Sequence, residues 1–240
     1  MTELVDALRN ALKRTVIETG TRLVSVQRHD ANGLRYAAEL DNEHYLDVDA
    51  LLLSVPAYEA APLLSGLDPV IAEALRQIQY ASTVVVHLAY RSDDIGGRLD
   101  GHGYVVPAVE ADTFLACTWS SSKWEGRAPD GHTLVRLYAG RYGRDGAIRL
   151  PDEELVARAG TELFRTVGIE ASPVGSRVYR WMRGMPQYNL GHRERVDRIR
   201  ERERALPGIY LAGAAYGGVG IPDCVRSARD AVRVVSEYLR

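Results

Sequence analysis

The chain has 240 residues, 46% of them apolar and 26% charged, and a formal net charge of −2 from 30 basic and 32 acidic side chains. That much apolar surface excludes general disorder, and the near-neutral balance excludes a strongly basic face for nucleic acid. The length suits one or two domains.

The chain opens with an amphipathic helix, because Leu4, Val5, Leu8, Ala11 and Leu12 recur at helical spacing. Residues 21–40 read as a hairpin: strands Thr21–Gln27 and Leu34–Leu40 flank an Asn32-Gly33 turn. Tyr45–Val48 fits a short further strand. The apolar run Ala50–Val55 reads as a strand buried on both faces, ended by Pro56, and Ala57–Leu64 is helical. Asp68 and Pro69 start a helix that runs to Ile78.

Tyr80–Tyr90 has the clearest strand pattern. Gly103–Val109, Thr113–Ser120 and Thr133–Gly140 follow, with a polar loop over residues 121–131, and together predict an antiparallel sheet. Asp152–Val167 is a helix with Asp152 as its cap, Ser176–Trp181 a strand, and His192–Glu203 a polar helix. Pro207-Gly208 leads into strand Ile209–Gly213, then a glycine-rich loop, then a helix from about Cys224 to Tyr238. Residues 1–64 and the last stretch mix strands and helices in α/β style, and 65–180 is an α+β unit.

Several chemistries lack their signatures. There is no GxSxG, no phosphate-binding GxxxxGK[ST], and no histidine pair at metal-ligand spacing. The six histidines read as surface or satisfied core residues. Cys117 and Cys224 are the only cysteines and form no CxxC, so a reduced, cytoplasmic protein is the default. No apolar run reaches the roughly 18 residues of a membrane helix, and the N-terminus, with Glu3 and Asp6, is not a signal peptide. Lys13 and Lys123 are the only lysines. That Arg excess reads as codon usage, or in part as Arg placed to hold carboxylates.

The strand–glycine loop–helix over 209–239 carries more. Gly213, Gly217, Gly218 and Gly220 let backbone N–H groups approach a ligand, and the helix points its positive end at the same place. The other reading is a tight packing turn, since the spacing is not GxGxxG. Cys224, near the helix start, reads as a packing residue or as a thiol activated by the dipole.

PGIYLAGAAYGGVGIPDCVRSARDAV resembles the C-terminal flavin motif of the oxygen-dependent protoporphyrinogen oxidases, within the amine-oxidase-like FAD superfamily. WMRGMPQYNLGH (181–192), YASTVVVHLAY, GHGYVVP, TWSSSKWEGRAPDGHTLVRLYAG and MTELVDALRNAL resemble further family segments in family order. A carotenoid desaturase or amine oxidase fits the PQY and GVGIPDC segments less well.

The resemblance implies FAD as cofactor, and oxidation of a porphyrinogen by hydride transfer to the flavin, which O₂ reoxidises to give hydrogen peroxide. The substrate is either tetracarboxylate coproporphyrinogen or dicarboxylate protoporphyrinogen. No metal and no general base are implied. Family members begin with a strand–GxGxxG–helix unit for the ADP moiety. This sequence lacks one and matches the C-terminal half only.

The implied architecture is an incomplete Rossmann-like FAD-binding domain, 1–64 and 181–240, interleaved with a substrate domain, 65–180, built of an antiparallel sheet plus helices. A fragment, a late start and a truncated paralogue all fit, and such a half exposes apolar surface or pairs with another chain, the missing N-terminal segment or a second copy. The strands ALLLSV and IYLAG are then expected to lack neighbours. The runner-up is a non-catalytic module that binds a tetrapyrrole or a partner protein. Family members vary in membrane association, so a peripheral contact stays open.

By resemblance, Val24 contacts the adenine through its backbone, the other reading being a core valine, and Gly213 lets the strand end approach the flavin. Val219, Gly220 and Ile221 form the backbone run beside the isoalloxazine. Trp181 lies near its ring, the other reading being a core tryptophan. For the substrate, Arg136, Arg141, Arg180 and Arg183 are candidates for carboxylates, surface placement being the other reading of each. Tyr104 and Trp119 line the macrocycle or pack the core.

Overall fold

The computed structural model describes residues 2–29, 35–96, 99–107, 109–110 and 112–240. In chain order the elements are α1 (Thr2–Ala11), β1 (Leu23–His29), β2 (Arg35–Leu40), β3 (Tyr45–Val48), β4 (Leu51–Leu53), α2 (Ala57–Leu64) and α3 (Pro69–Arg76). Then come β5 (Tyr80–Arg91), β6 (Gly103–Val105), β7 (Phe114–Trp119), α4 (Ser120–Lys123), β8 (His132–Ala139), α5 (Asp152–Val167) and β9 (Gly175–Pro186). The chain ends with α6 (His192–Arg204), β10 (Ile209–Leu211), α7 (Ala214–Gly217) and α8 (Ile221–Tyr238). Two compact units result. One holds residues 1–76, 196–212 and 228–240, the other 77–195 and 213–227.

In the first unit β1, β2 and β3 form an antiparallel meander, as the hairpin pattern predicts; the Asn32-Gly33 turn lies outside the described residues. Val24 is the extra residue of a β-bulge, because Leu23 faces Leu40 while Ser25 faces Glu39. β4 and β10 pair in parallel, Leu51–Leu53 against Ile209–Leu211. The two strands thus have each other as neighbours, contrary to the sequence expectation.

Side chains of α6 satisfy the other edge of β10. The Leu211 N–H donates to Glu203 Oε1 at 2.9 Å, and Arg200 donates to the Leu211 carbonyl at 3.0 Å. Every β10 residue is therefore buried, whereas Leu52 of β4 stays partly exposed. Asp68 caps α3 as predicted, accepting from the Val70 and Ile71 N–H groups at 2.8 and 3.1 Å. Its second oxygen holds Arg202 at 2.5 Å.

In the second unit five strands form the antiparallel sheet β6-β7-β8-β5-β9. Along β5, Val84, Val86, Leu88 and Tyr90 point to one face and are buried with Cys117, Trp119, Val135 and Leu137. Leu155, Ala159 and Leu163 of α5 belong to the same core, so this face is the covered one. Two readings change here. Asp152 does not cap α5: Pro151 holds the cap position with no side-chain bond, and Asp152 instead pairs with Arg180 at 2.5 Å. β9 extends to Pro186, well past Trp181, because Tyr80 and Ala81 of β5 keep pairing with Pro186 and Met185.

The two terminal helices remain apolar on their surfaces. α1 buries no residue, and α8 buries only Ala231. Leu4, Val5 and Leu8, and Val225, Val232 and Leu239, are all exposed. Among the described residues no helix is long and apolar enough to cross a membrane.

Candidate functional site

The glycine-rich segment of the second unit is held in one conformation. Gly213 and Gly218 adopt φ of 126° and 141°, which L side chains rarely reach. A Cβ at Gly218 would fall 2.5 Å from Asp223 Oδ2. The Gly213 N–H donates to Ser227 Oγ at 3.0 Å. α8 begins at Ile221 rather than Cys224, because Pro222 sits in a first turn that needs no N–H from it. The Cys224 N–H donates to the Gly220 carbonyl at 2.9 Å. Among the described residues the N–H groups of Val219, Gly220 and Ile221 have no protein partner. These donors, at the positive end of an 18-residue helix, suit an anion or an electron-rich ring oxygen.

Tyr188, from the PQY segment, ties this loop together. Its hydroxyl accepts the Gly218 N–H at 2.7 Å and donates to the Ala214 carbonyl at 2.5 Å. Its ring stacks on His192, centroids 4.0 Å apart. Burial raises the Tyr188 pKa. Burial, aided by the charge of Arg195, lowers that of His192, whose ring nitrogens are shut away from water.

The uncovered face of the five-stranded sheet carries a second cluster. Register places Trp181 opposite Thr83. The next row is Tyr179–Val85–Tyr138, and the one after it Arg177–His87–Arg136. Arg136 lies 5.4 Å from the Trp124 ring and 5.8 Å from that of Tyr138. Arg177 lies 5.5 Å from the Tyr179 ring, which meets His87 edge-on at 5.4 Å. Arg136 Nε is buried without an acceptor, and among the described residues neither Arg136 nor Arg177 has a carboxylate partner. Burial lowers the His87 pKa, and Arg136 lowers it further.

The other expected residues fall in distinct places. Val24 is 49% exposed in the first unit, not a core valine, and its bulge frees its backbone from the ladder. Trp181 is 59% exposed, so it is not a core tryptophan. It precedes a bulge of β9 in which Arg183 takes φ 46° and donates its N–H to Ser82 Oγ at 2.9 Å. Arg180 is spent on Asp152 and on the carbonyls of Ile148 and Leu150. Arg141 sits in a turn bridged to Arg144.

Tyr104 and Trp119 belong to the covered face. They meet edge-on, Tyr104 bonds Thr166 at 3.0 Å, and Trp119 is buried. Sequence reading missed Tyr188, His87, Arg177 and Trp124. The strand alternation of β5, which sets His87 opposite to Val86, was the available signal for the sheet face.

The model of the family described as flavin containing amine oxidoreductase matches residues 1–236. The chain belongs to this family. FAD is the cofactor that membership in the flavin containing amine oxidoreductases brings. Coproporphyrinogen III oxidase of Bacillus subtilis is 34% identical over 237 residues, which cover 98% of this chain and 49% of the relative. The chloroplastic protoporphyrinogen oxidase of Oryza sativa is 27% identical and is covered to 46%.

A crystal structure assigned to protoporphyrinogen oxidase, from Exiguobacterium sp. 255-15, superimposes with TM-score 0.87 at 34% identity, over 99% of this chain and 51% of that one. Putrescine oxidase, at 15% identity and TM-score 0.74, shares the fold. The chain spans about half the length of the relatives it matches.

Proposed function

We propose that the chain is the C-terminal portion of an FAD-dependent oxidase that converts a porphyrinogen to the porphyrin with O₂ as acceptor. The observation that carries this reading is the trio of unpartnered N–H groups at Val219, Gly220 and Ile221, at the start of α8. They would hold the electron-rich edge of the flavin ring, where negative charge builds on reduction. Gly213 keeps the end of β10 free of side chains, and exposed Trp181 would lie against the ring. Val24 would meet the adenine through its bulged backbone. Bound FAD supplies the two-electron chemistry, and the protein binds, orients and shields. Residues 1–64 and 181–240 serve the cofactor, and 65–180 the substrate.

The test combines absorbance and turnover. The purified chain is mixed with FAD and then with coproporphyrinogen III in air, and porphyrin fluorescence is followed. These 240 residues hold no GxGxxG unit for the ADP moiety, so activity is expected when the chain is supplied with the N-terminal half of the Bacillus subtilis relative, as retained flavin and an O₂-dependent rise in fluorescence. A folded, reconstituted protein that neither retains FAD nor oxidises the porphyrinogen overturns the reading. Tetrapyrrole binding without flavin would replace it by a non-catalytic binding module.

A further inference from the structure

The uncovered sheet face poses a problem in electrostatics. Two guanidinium groups flank His87 on neighbouring strands, Arg136 from β8 and Arg177 from β9. Four Arg groups of this unit have carboxylate partners: Arg158 on Glu154, Arg165 on Glu162, Arg180 on Asp152 and Arg226 on Asp223. Among the described residues Arg136 and Arg177 have no carboxylate partner. They lie against aromatic rings: Trp124 and Tyr138 beside the first, Tyr179 beside the second. A ring face within about 6 Å attracts a guanidinium without occupying its N–H donors, which stay free for an acceptor. Arg136 Nε is already out of water with no acceptor, a cost that a bound oxygen would relieve.

Spacing adds a second constraint. Arg136 and Arg177 stand two strands apart, so their backbones are about 10 Å from one another. Trp181 and Arg177 lie four residues apart on one face of β9, about 13 Å along the strand. Between them runs the row Tyr179–Val85–Tyr138, an apolar and aromatic floor without a charge. The face is therefore apolar near Trp181 and basic at the far row.

We propose that this face binds the ring of a polycarboxylate tetrapyrrole, with Arg136 and Arg177 each receiving a carboxylate and the Tyr179–Val85–Tyr138 row lying under the macrocycle. The assignment rests on the functional reading above and adds to it the residues that select for carboxylates. Paired cations favour coproporphyrin, which offers four carboxylates, over protoporphyrin, which offers two. Tyr104, on the covered face, takes no part.

The experiment is a titration of the 240-residue chain with coproporphyrin III, protoporphyrin IX and coproporphyrin tetramethyl ester, read by quenching of tryptophan fluorescence. Wild type is expected to bind coproporphyrin most tightly and the ester least. The double variant Arg136→Gln/Arg177→Gln should lose about tenfold or more in coproporphyrin affinity, with little change for the ester. Arg136→Lys, which keeps charge but not the planar fork, should fall between. Arg158→Gln, an arginine of α5 on the other side of the sheet, should leave binding unchanged.

Circular dichroism confirms that each variant is folded, and the shift of the His87 ring resonances on adding coproporphyrin gives a second measure in wild type. If the double variant binds coproporphyrin as wild type does, this face is not the site, while the functional reading stands. If the folded wild-type chain binds no porphyrin at all, the functional reading fails and this assignment fails with it.

Discussion

The Tyr188 hydroxyl accepts the Gly218 N–H at 2.7 Å and, by donating to the Ala214 carbonyl at 2.5 Å, closes both ends of α7 onto one atom. This single phenol orders the loop whose next three N–H groups are free for a ligand. Tyr188→Phe keeps the ring stack on His192 but leaves two backbone groups to water. Because the side chain is partly exposed, the expected stability loss is only about 1 kcal/mol. The local effect should be larger: faster amide exchange at Gly218, and FAD affinity reduced several-fold. Unchanged exchange and unchanged flavin binding would mean that the loop holds its shape without Tyr188.

Adjacent glycines should respond differently to alanine. Gly218 has φ 141°, and a methyl there would collide with the Asp223 carboxylate, which also pairs with Arg226. Gly218→Ala is expected to cost about 1–3 kcal/mol and to disturb the start of α8. Gly217 has no atom within 4 Å of its would-be Cβ and ends a helical turn at ordinary φ. Gly217→Ala should be neutral or slightly stabilising. Thermal melts of the two variants decide this directly.

Asp68 makes the first unit sensitive to acid. Burial pushes its pKa up, but the hydrogen bond from Arg202 and those from the Ile71 and Val70 N–H groups outweigh burial and hold it below its ordinary value. The folded state therefore binds this proton less readily than the unfolded chain. The stabilisation is complete above about pH 4 and is lost as pH falls through the lower folded pKa. Asp68→Ala removes both the cap and the ion pair and should cost about 2 kcal/mol near neutrality, allowing for the exposure of Arg202. Asp68→Asn keeps an acceptor for the cap and should cost less. Urea titrations at several pH values test both the sizes and the slope.

The sequence made the secondary elements legible where periodicity was strong. β5, α5 and the hairpin of β1 and β2 fall where alternation and helical spacing place them. Asp68 as the cap of α3 was legible because Asp-Pro leaves little alternative. The parallel pairing of β4 with β10 was not, since it joins segments about 160 residues apart and no local pattern encodes a partner.

Asp152 misled for a related reason. Its type suits a cap, but a long-range arginine claims it. At the candidate site the glycines announced the loop, and family resemblance named its ligand. Tyr188 was hidden because its role is a bond to backbone 30 residues away. The Arg177–His87–Arg136 row was hidden because it exists only once three strands are in register.

The two cysteines should differ sharply in reactivity. Cys117 is in the core of the sheet, 2% exposed, and burial pushes its thiol pKa far up. Cys224 is half-buried in the first turn of α8. Both are free thiols. Iodoacetamide at neutral pH should therefore label Cys224 alone in the folded protein and both residues in denaturant. Mass spectrometry of the tryptic peptides reads this out, and prompt native labelling of Cys117 would show that the sheet core opens.

His87 gives the last test, because its surroundings are cationic on both sides. Arg136 faces it from β8, and Arg177 and the Tyr179 ring face it from β9. Burial and then Arg136 hold its pKa below the ordinary 6.5. A histidine kept neutral by the fold binds its proton more readily when unfolded. Its contribution is thus complete above about pH 6.5 and falls away as pH drops towards the folded pKa. Arg136→Gln removes one of the two causes, so the ring should titrate at higher pH, and less stability should be lost over the same interval. NMR titration of the His87 ring in wild type and variant measures the shift. An unchanged titration would place the Arg136 charge too far from the ring to act on it, and would weaken the case that both report on one anion-binding row.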